Sequence, residues 1–254
     1  EEGVDHNHMA CRRLNGRWPL LFVSPSYHAL HHIFPHQYFS TFISVFDLVF
    51  GTGCQIRGRT FLVTGATGAL GSALVRRLEK LGAIVMTAKN GVDYQAGDYA
   101  RLESKLQAAD VLVLAHGVKY VDCWNANVTT FVDLIDRFVA LGKDRLVPPE
   151  VWAVGSEIEL HGSLGQASMR DYTTTKRAFA ARARQYYKSR DLTYRHIVPA
   201  AFKSGMGWGV MSADQVAAVT MFLIRRGLRY IPITYTTLAF WNYARFRWWP
   251  VRSI

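Results

Sequence analysis

From residue 60 onward, short apolar runs alternate with longer stretches in which apolar side chains recur every three or four positions. Residues 60–64 (TFLVT) have the length and composition of a buried strand, and 69–81 (ALGSALVRRLEKL) carry the helical period until Gly82 stops it. A second strand is expected over 83–87 (AIVMT), a short helix near 99–108 and a third strand over 111–115 (VLVLA). The alternation continues with a helix over 127–141, a strand over 151–154 (VWAV), a long helix over 171–190 and a strand over 194–198 (YRHIV). A last helix covers 213–225, with Ser212 as its N-cap. This order predicts an α/β fold, a doubly wound parallel sheet of Rossmann-like type that binds ligands beyond the carboxyl ends of its strands.

Upstream of residue 60 the pattern is different. Six of the nine histidines lie in the first 36 residues, and the glycine-rich stretch Gly51-Thr-Gly-Cys-Gln-Ile-Arg-Gly58 separates them from the first strand. We therefore expect a short truncated helical appendage over 1–52, a linker over 53–59, a nucleotide-binding domain over 60–234 and a basic aromatic tail over 235–254. Half the residues are hydrophobic, ample for a core. The net charge of +11 forms no Lys-rich stripe or recognition helix, so no nucleic-acid partner is expected. No Asp or Glu follows Asp214, whereas Arg225, Arg226, Arg229, Arg245, Arg247 and Arg252 accumulate among aromatics, a composition suited to an anionic membrane surface.

Three widely spaced cysteines, Cys11, Cys54 and Cys123, suggest no disulfide framework and point to a reducing, cytoplasmic setting. No apolar run reaches the roughly 20 residues that a spanning helix needs. The longest candidate, 38–50, is interrupted by Asp47. The chain starts at Glu1 rather than Met, which leads us to expect an upstream portion.

Between the first strand and first helix stands Thr64-Gly-Ala-Thr-Gly-Ala-Leu-Gly71. Such a turn brings the backbone N–H groups of Gly65, Ala66, Thr67, Gly68, Ala69 and Leu70, and a helix N-terminus, to a pyrophosphate, while Gly71 lets the helix pack on the sheet. A carboxylate some 20 residues further on would bind the ribose of NAD, and a basic residue the 2′-phosphate of NADP. Here the second strand ends Thr87-Ala88-Lys89-Asn90, with no acid before Asp93, so Lys89 tilts the choice to NADP over NAD.

Among twelve tyrosines only Tyr172 has a lysine four residues later, Lys176, which places both on one face of a helix. A free phenol with a pKa near 10 is a poor proton shuttle at neutral pH. An ammonium about 4 Å away at an effective dielectric near 20 favours the phenolate by roughly 4 kcal/mol, enough to make the tyrosine useful.

On these residues the region resembles the short-chain dehydrogenase/reductase family over roughly 175 positions. Ser156 follows the strand VWAVG where that family has the serine that holds the substrate carbonyl, and Asn127 matches its structural asparagine. The resemblance implies that Ser156 orients the carbonyl or alcohol, Tyr172 transfers the proton, Lys176 binds ribose and lowers the tyrosine pKa, and Asn127 supports a relay. The turn TGATGALG is closer to the extended or atypical branches of the family. Leu114-Ala115-His116-Gly117 stands where Asn-Asn-Ala-Gly is usual, so Ala115, His116 and Gly117 would line the adenine side. Pro199 and Ala200 correspond to its Pro-Gly turn beside the nicotinamide. Ser156 lies sixteen residues before Tyr172, which leaves Ser163 as a rival. The apolar loop over 202–211, with Phe202, Met206, Trp208 and Met211, would cover a small lipophilic carbonyl or alcohol. His161 and His196 are expected to be surface or structural residues rather than catalytic ones. The family also implies a homo-oligomer.

Tyr27-His-Ala-Leu-His-His32 puts His28, His31 and His32 on one face of a helix, a set suited to iron or zinc. With 46–52 (FDLVFGT) it resembles the carboxyl end of the fatty acid hydroxylase/sterol desaturase superfamily, whose dimetal site needs several clusters. His6, His8 and His36 do not supply the missing ones. No metal is expected in this fragment, and iron only in an intact parent chain. The order of the two families resembles a bifunctional arrangement found in cyanobacteria. Residues 38–50 and the tail 239–249 are expected at a membrane interface, on its cytoplasmic face.

Overall fold

In the computed structural model of the chain, residues 22–163 and 165–248 are described. The expectations for His6, His8, Cys11 and the tail beyond Trp248 lie outside them.

Two short helices open this part, α1 (Pro25–Ile33) and α2 (Val45–Phe50). The alternating unit follows: β1 (Thr60–Thr64), α3 (Ala69–Lys80), β2 (Ile84–Ala88), α4 (Glu103–Ala108), β3 (Val111–Leu114), α5 (Thr130–Leu141) and β4 (Glu150–Val154). Then come α6 (Ile158–His161), α7 (Arg170–Lys188), β5 (Thr193–Pro199), β6 (Phe202–Lys203), β7 (Met211–Ser212), α8 (Ala213–Arg225), β8 (Tyr230–Ile233) and α9 (Leu238–Trp248). Six strands form one sheet in the order β2-β1-β3-β4-β5-β8, every pair parallel. The expected α/β class and doubly wound parallel sheet are therefore observed.

The central strands read as continuous apolar runs because both faces are covered. Side chains of α3 and α8 bury one face around Phe61, Val63, Val113 and Trp152. Those of α4, α5 and α7 bury the other around Leu62, Leu112, Phe131 and Phe179. The chain leaves β1 for β2 on one side and returns to β3 on the other, so a crevice opens at the carboxyl ends of β1 and β3, the place where such sheets bind ligands. Ser212 caps α8 as expected, its hydroxyl accepting from Gln215 N while Gln215 answers to Ser212 N.

Three features depart from the sequence-based outline. A sixth strand, β8, was not expected, because Tyr-Ile-Pro-Ile is short and contains Pro232; it sits on the sheet edge, where proline is tolerated. Asn127 does not open a regular helix but lies in a widened π-turn, Asn125–Thr129, ahead of α5. The aromatic tail is partly folded into the body: α9 lies along β8 with Ala239 and Phe246 fully buried, the Phe246 ring 4.5 Å from that of His196.

The segment before β1 is also tied to the body. Gly53 N donates to Arg225 O at 2.7 Å and Gln55 N to the Tyr38 hydroxyl at 3.2 Å. Beneath the sheet, Glu150 joins Arg59 (2.7 Å) and Arg195 (2.6 Å), with Cys54 beside it. In α1 the imidazoles do not converge as the metal reading requires. His28 and His32 meet at 3.4 Å, whereas His31 Nδ1 turns to Gln37 O at 2.8 Å. Among the described residues, no group of three His, Cys, Asp or Glu could hold a metal ion.

Candidate active site

One cavity of about 900 Å³ runs across the carboxyl ends of the strands, from the end of β2 to the loop between β6 and β7. Its floor is the turn between β1 and α3. Gly65 has φ +69° there, and a Cβ on it would lie 2.5 Å from the backbone of His116. A Cβ on Gly71 would strike Gly65 O at 2.0 Å. The chain thus folds back on itself more tightly than any side chain allows, and the turn's N–H groups are brought to the cavity at the start of α3.

Gly65, Ala66, Thr67, Gly68, Ala69 and Leu70 line the cavity, as do Lys89, Ala115, His116, Gly117, Lys176, Pro199 and Ala200. Gly71 lies beneath it rather than on its wall. Exposed Lys89 stands at the β2 end. Asp93 is not placed to bind a ribose: one carboxylate oxygen accepts from Lys89 N at 2.8 Å and the other pairs with Lys105 at 2.7 Å. The His116 Nδ1 lies 2.7 Å from the Thr64 hydroxyl, and its ring packs 4.6 Å from Phe131. Burial first, and then the charge of Lys176, push its pKa down to about 3, so it is neutral in ordinary buffers.

At the far end stand Ser156, Tyr172 and Lys176. Ser156 and Ser163 both line the cavity; the Ser156 hydroxyl accepts from Ile158 N at 3.4 Å and, of the two, is the one close enough to Tyr172 to moderate its pKa. Lys176 Nζ donates to Val154 O at 3.0 Å and lies 5.8 Å from the tyrosine ring centroid. The two side chains share the α7 face that the spacing implied. Their electrostatics differ from the expectation. Burial pushes the phenol up to about 12, Ser156 only moderating it, and burial brings Lys176 down to about 8. Desolvation therefore dominates the phenol's acidity here.

Asn127 is buried behind this cluster and not on its wall. Its Oδ1 accepts from Val118 N at 3.0 Å, and its Nδ2 donates to Val118 O (2.8 Å) and the Thr175 hydroxyl (3.1 Å). Its side chain thus clamps the loop after β3 to the helix that carries Tyr172, and makes no bond to Lys176. His196 is fully buried, 3.1 Å from Glu159 and off the cavity wall; His161 lines the cavity with Nδ1 2.8 Å from Gly162 O.

Sequence reasoning missed several wall residues. Lys119 stands 5.9 Å from the Tyr172 centroid and donates to Met206 O, bridging the cavity to the loop that follows β6. Glu157, buried, accepts from the hydroxyls of Thr234 and Thr236. Tyr94 lines the adenine-side end, stacked near Tyr99. For Glu157 the available signal was adjacency to Ser156; Lys119 and Tyr94 lie in loops without periodicity.

Because Lys176 titrates near pH 8, its charge is present below that value and lost above it. We expect any turnover at this site that depends on the ammonium to fall about tenfold per pH unit above roughly pH 8. A Lys176→Arg variant that still turns over would move that limb upward; a flat profile to pH 10 would contradict the assignment.

The sequence matches no protein-family model. It is 26% identical over 248 residues to the monoglucosyldiacylglycerol epimerase of Synechocystis sp., the match covering 86% of this chain. The chain spans 60% of the length of that curated relative. Among solved structures, a short-chain dehydrogenase from Burkholderia cenocepacia in complex with NADP superposes with a TM-score of 0.62 at 14% identity, covering 75% of this chain and 94% of that one. A short-chain dehydrogenase/reductase from Burkholderia phymatum in complex with NAD gives 0.61 at 16% identity, covering 74% and 93%. A short-chain dehydrogenase from Sphingobium yanoikuyae in complex with NADPH gives 0.55 at 18% identity, covering 73% and 91%. The chain has the Rossmann-like fold of the short-chain dehydrogenases.

Proposed function

We propose that the chain is a nicotinamide-dependent oxidoreductase of the short-chain dehydrogenase type, NADP-preferring, acting on a hydroxyl or carbonyl of a lipophilic molecule. The observation that carries this reading is that Ser156, Tyr172 and Lys176 lie together at one end of a cavity whose other end is the Gly65–Gly71 turn. The cavity lies within the size range of cofactor and substrate sites. The turn and Lys89 would hold the phosphates, with Ala115, Gly117 and Pro199 against the rest. The bound dinucleotide supplies or accepts the hydride. Ser156 holds the substrate oxygen, and the Tyr172 phenol gives that oxygen its proton in reduction or takes it in oxidation. Lys176 supplies positive charge beside the phenol and three donors, one committed to Val154 O. Phe202, Met206 and Trp208 give this end an apolar wall.

Fluorescence titration should show tighter binding of NADPH than of NADH, and a panel of lipid-like ketones and alcohols should then be turned over with the better cofactor. NADPH binding without hydride transfer to any of them would favour a non-catalytic dinucleotide-binding protein. Lys89→Glu should weaken NADPH binding by about tenfold or more, near 1.4 kcal/mol, and leave NADH within about twofold. Equal losses for both would refute the 2′-phosphate role.

The epimerase name of the Synechocystis relative favours a second reading of the same site, oxidation followed by re-reduction of one sugar hydroxyl on a glycolipid. Glu157, His161 and Gln166 on the wall offer acceptors and donors for the neighbouring hydroxyls. Inversion of a glycolipid sugar without net consumption of cofactor would select this reading over a simple reductase. The resemblance of the front segment to the hydroxylase/desaturase end remains part of this proposal, and metal analysis of a longer parent chain tests it.

A further inference from the structure

One helix at the edge of the molecule is turned inside out, and a second sets exposed aromatics beside it. In α2 the one polar residue, Asp47, is 1% exposed and accepts hydrogen bonds from the Tyr27 hydroxyl (2.7 Å), Phe39 N (2.9 Å), Ser40 N (3.1 Å) and the Thr52 hydroxyl (2.5 Å). The other five side chains, Val45, Phe46, Leu48, Val49 and Phe50, face outward, Phe50 at 67% exposure. In α9, Asn242 is buried, donating to Glu159 (3.1 Å) and the Tyr230 hydroxyl (2.9 Å), while Phe240 and Trp241 point out, the latter at 78%. A water-facing helix has the opposite polarity to α2.

The two surfaces are parts of one face. A groove of about 320 Å³ lies between them, walled by Leu48 of α2, Phe240 and Tyr243 of α9, and Phe22. Arg226 and Arg247 also line it, and Arg226 joins the elements, its guanidinium 3.4 Å from the Phe222 ring centroid and 3.5 Å from Val49 O. No acid follows Asp214 in the sequence, and the one acid of α2 is internal, so the charge that these elements present is positive. Among the described residues no helix is long and apolar enough to cross a bilayer. Exposed aromatics with arginines around an apolar groove match an interface-lying surface for anionic lipid.

We propose that the face built by α2 and α9 docks on the surface of an anionic phospholipid bilayer, the groove beside Arg226 and Arg247 taking an acidic headgroup. The proposal is independent of the chemistry at Tyr172. It commits to lipid rather than to a second copy because a self-paired face would set these arginines against one another without an acid.

The test is co-sedimentation with vesicles of phosphatidylcholine alone or mixed equally with phosphatidylglycerol. The intact chain should bind the mixed vesicles about tenfold or more tightly than the neutral ones, and high salt should remove the difference. A Phe46→Ser/Val49→Ser/Phe50→Ser variant should lose binding to both, whereas Arg226→Gln/Arg247→Gln should lose only the preference. NADPH binding reports whether each variant is folded. In the unmodified chain, phospholipid with brominated acyl chains should quench a fluorescence component that Trp241→Phe removes, a readout that needs no disruptive variant. Absence of vesicle binding, or an unquenched Trp241, would overturn the proposal. So would a dimer that the serine variant dissociates, which would make this face a contact between copies.

Discussion

Tyr172→Phe should lower kcat for carbonyl reduction by about a thousandfold, within the range that a lost general acid commonly costs, and leave NADPH affinity within about twofold. The change removes one oxygen from a buried side chain and keeps the ring, so the fold and the α7 face that it packs on should persist. Ser156 stands beside the phenol on the cavity wall, so Ser156→Ala should be the milder lesion, losing orientation and not the proton source. Burial holds the phenol near 12, so at neutral pH it carries the proton that reduction needs, while the phenolate that oxidation needs is scarcely populated. Oxidation should therefore need the positive charge of a bound nicotinamide ring together with Lys176 to bring the phenol down. Stopped-flow turnover beside equilibrium NADPH titration separates the effects. Undiminished turnover in Tyr172→Phe would remove the residue from the chemistry, and lost cofactor binding would make it a binding residue.

The elements that place this site were largely legible because parallel strands buried on both faces are written as unbroken apolar runs, as in 60–64 and 111–114. The glycine turn was legible because Gly65 and Gly71 answer to backbone collisions that no other residue avoids. The helical spacing of Tyr172 and Lys176 fixed a shared face but not the medium around it. Burial is a property of the assembled layers, and it reversed the expected shift of the phenol. Asn127 illustrates the same limit: the resemblance implied a part in a relay, while its partners, Val118 and Thr175, are a tertiary choice. β8 was hidden by Pro232, and α9 by the absence of an amphipathic period. The latter follows from its position, since one side of α9 packs on β8 and the other presents aromatics outward.

Glu150→Gln should destabilise the chain by about 3–5 kcal/mol, although it lies at the opposite end of the sheet from the chemistry. Its carboxylate receives Arg59 at 2.7 Å, Arg195 at 2.6 Å and the Trp152 indole N–H at 2.7 Å, all buried. An amide of the same shape leaves two buried guanidinium groups without a counter-charge. In a chain of this size such a loss lowers Tm by roughly 10 °C. The arginines hold the carboxyl at about 2, against an ordinary 4.5, outweighing the opposing effect of burial. A depressed folded pKa contributes stability that is complete above the unfolded value and is lost as the pH falls through the folded one. The wild-type chain should therefore lose stability between about pH 4.5 and pH 2, while Glu150→Gln lacks that part of the acid limb, so the two curves converge as the pH falls. Replacing all three charges by apolar residues, Arg59→Met with Glu150→Leu and Arg195→Met, should recover much of the loss, because the penalty belongs to the unpaired charges and not to the volume. Urea unfolding at neutral and acid pH measures each of these. A Glu150→Gln chain within about 1 kcal/mol of wild type at neutral pH would mean that water reaches the two arginines, and that the segment carrying Cys54 and Tyr38 is not fastened to the sheet through this carboxylate.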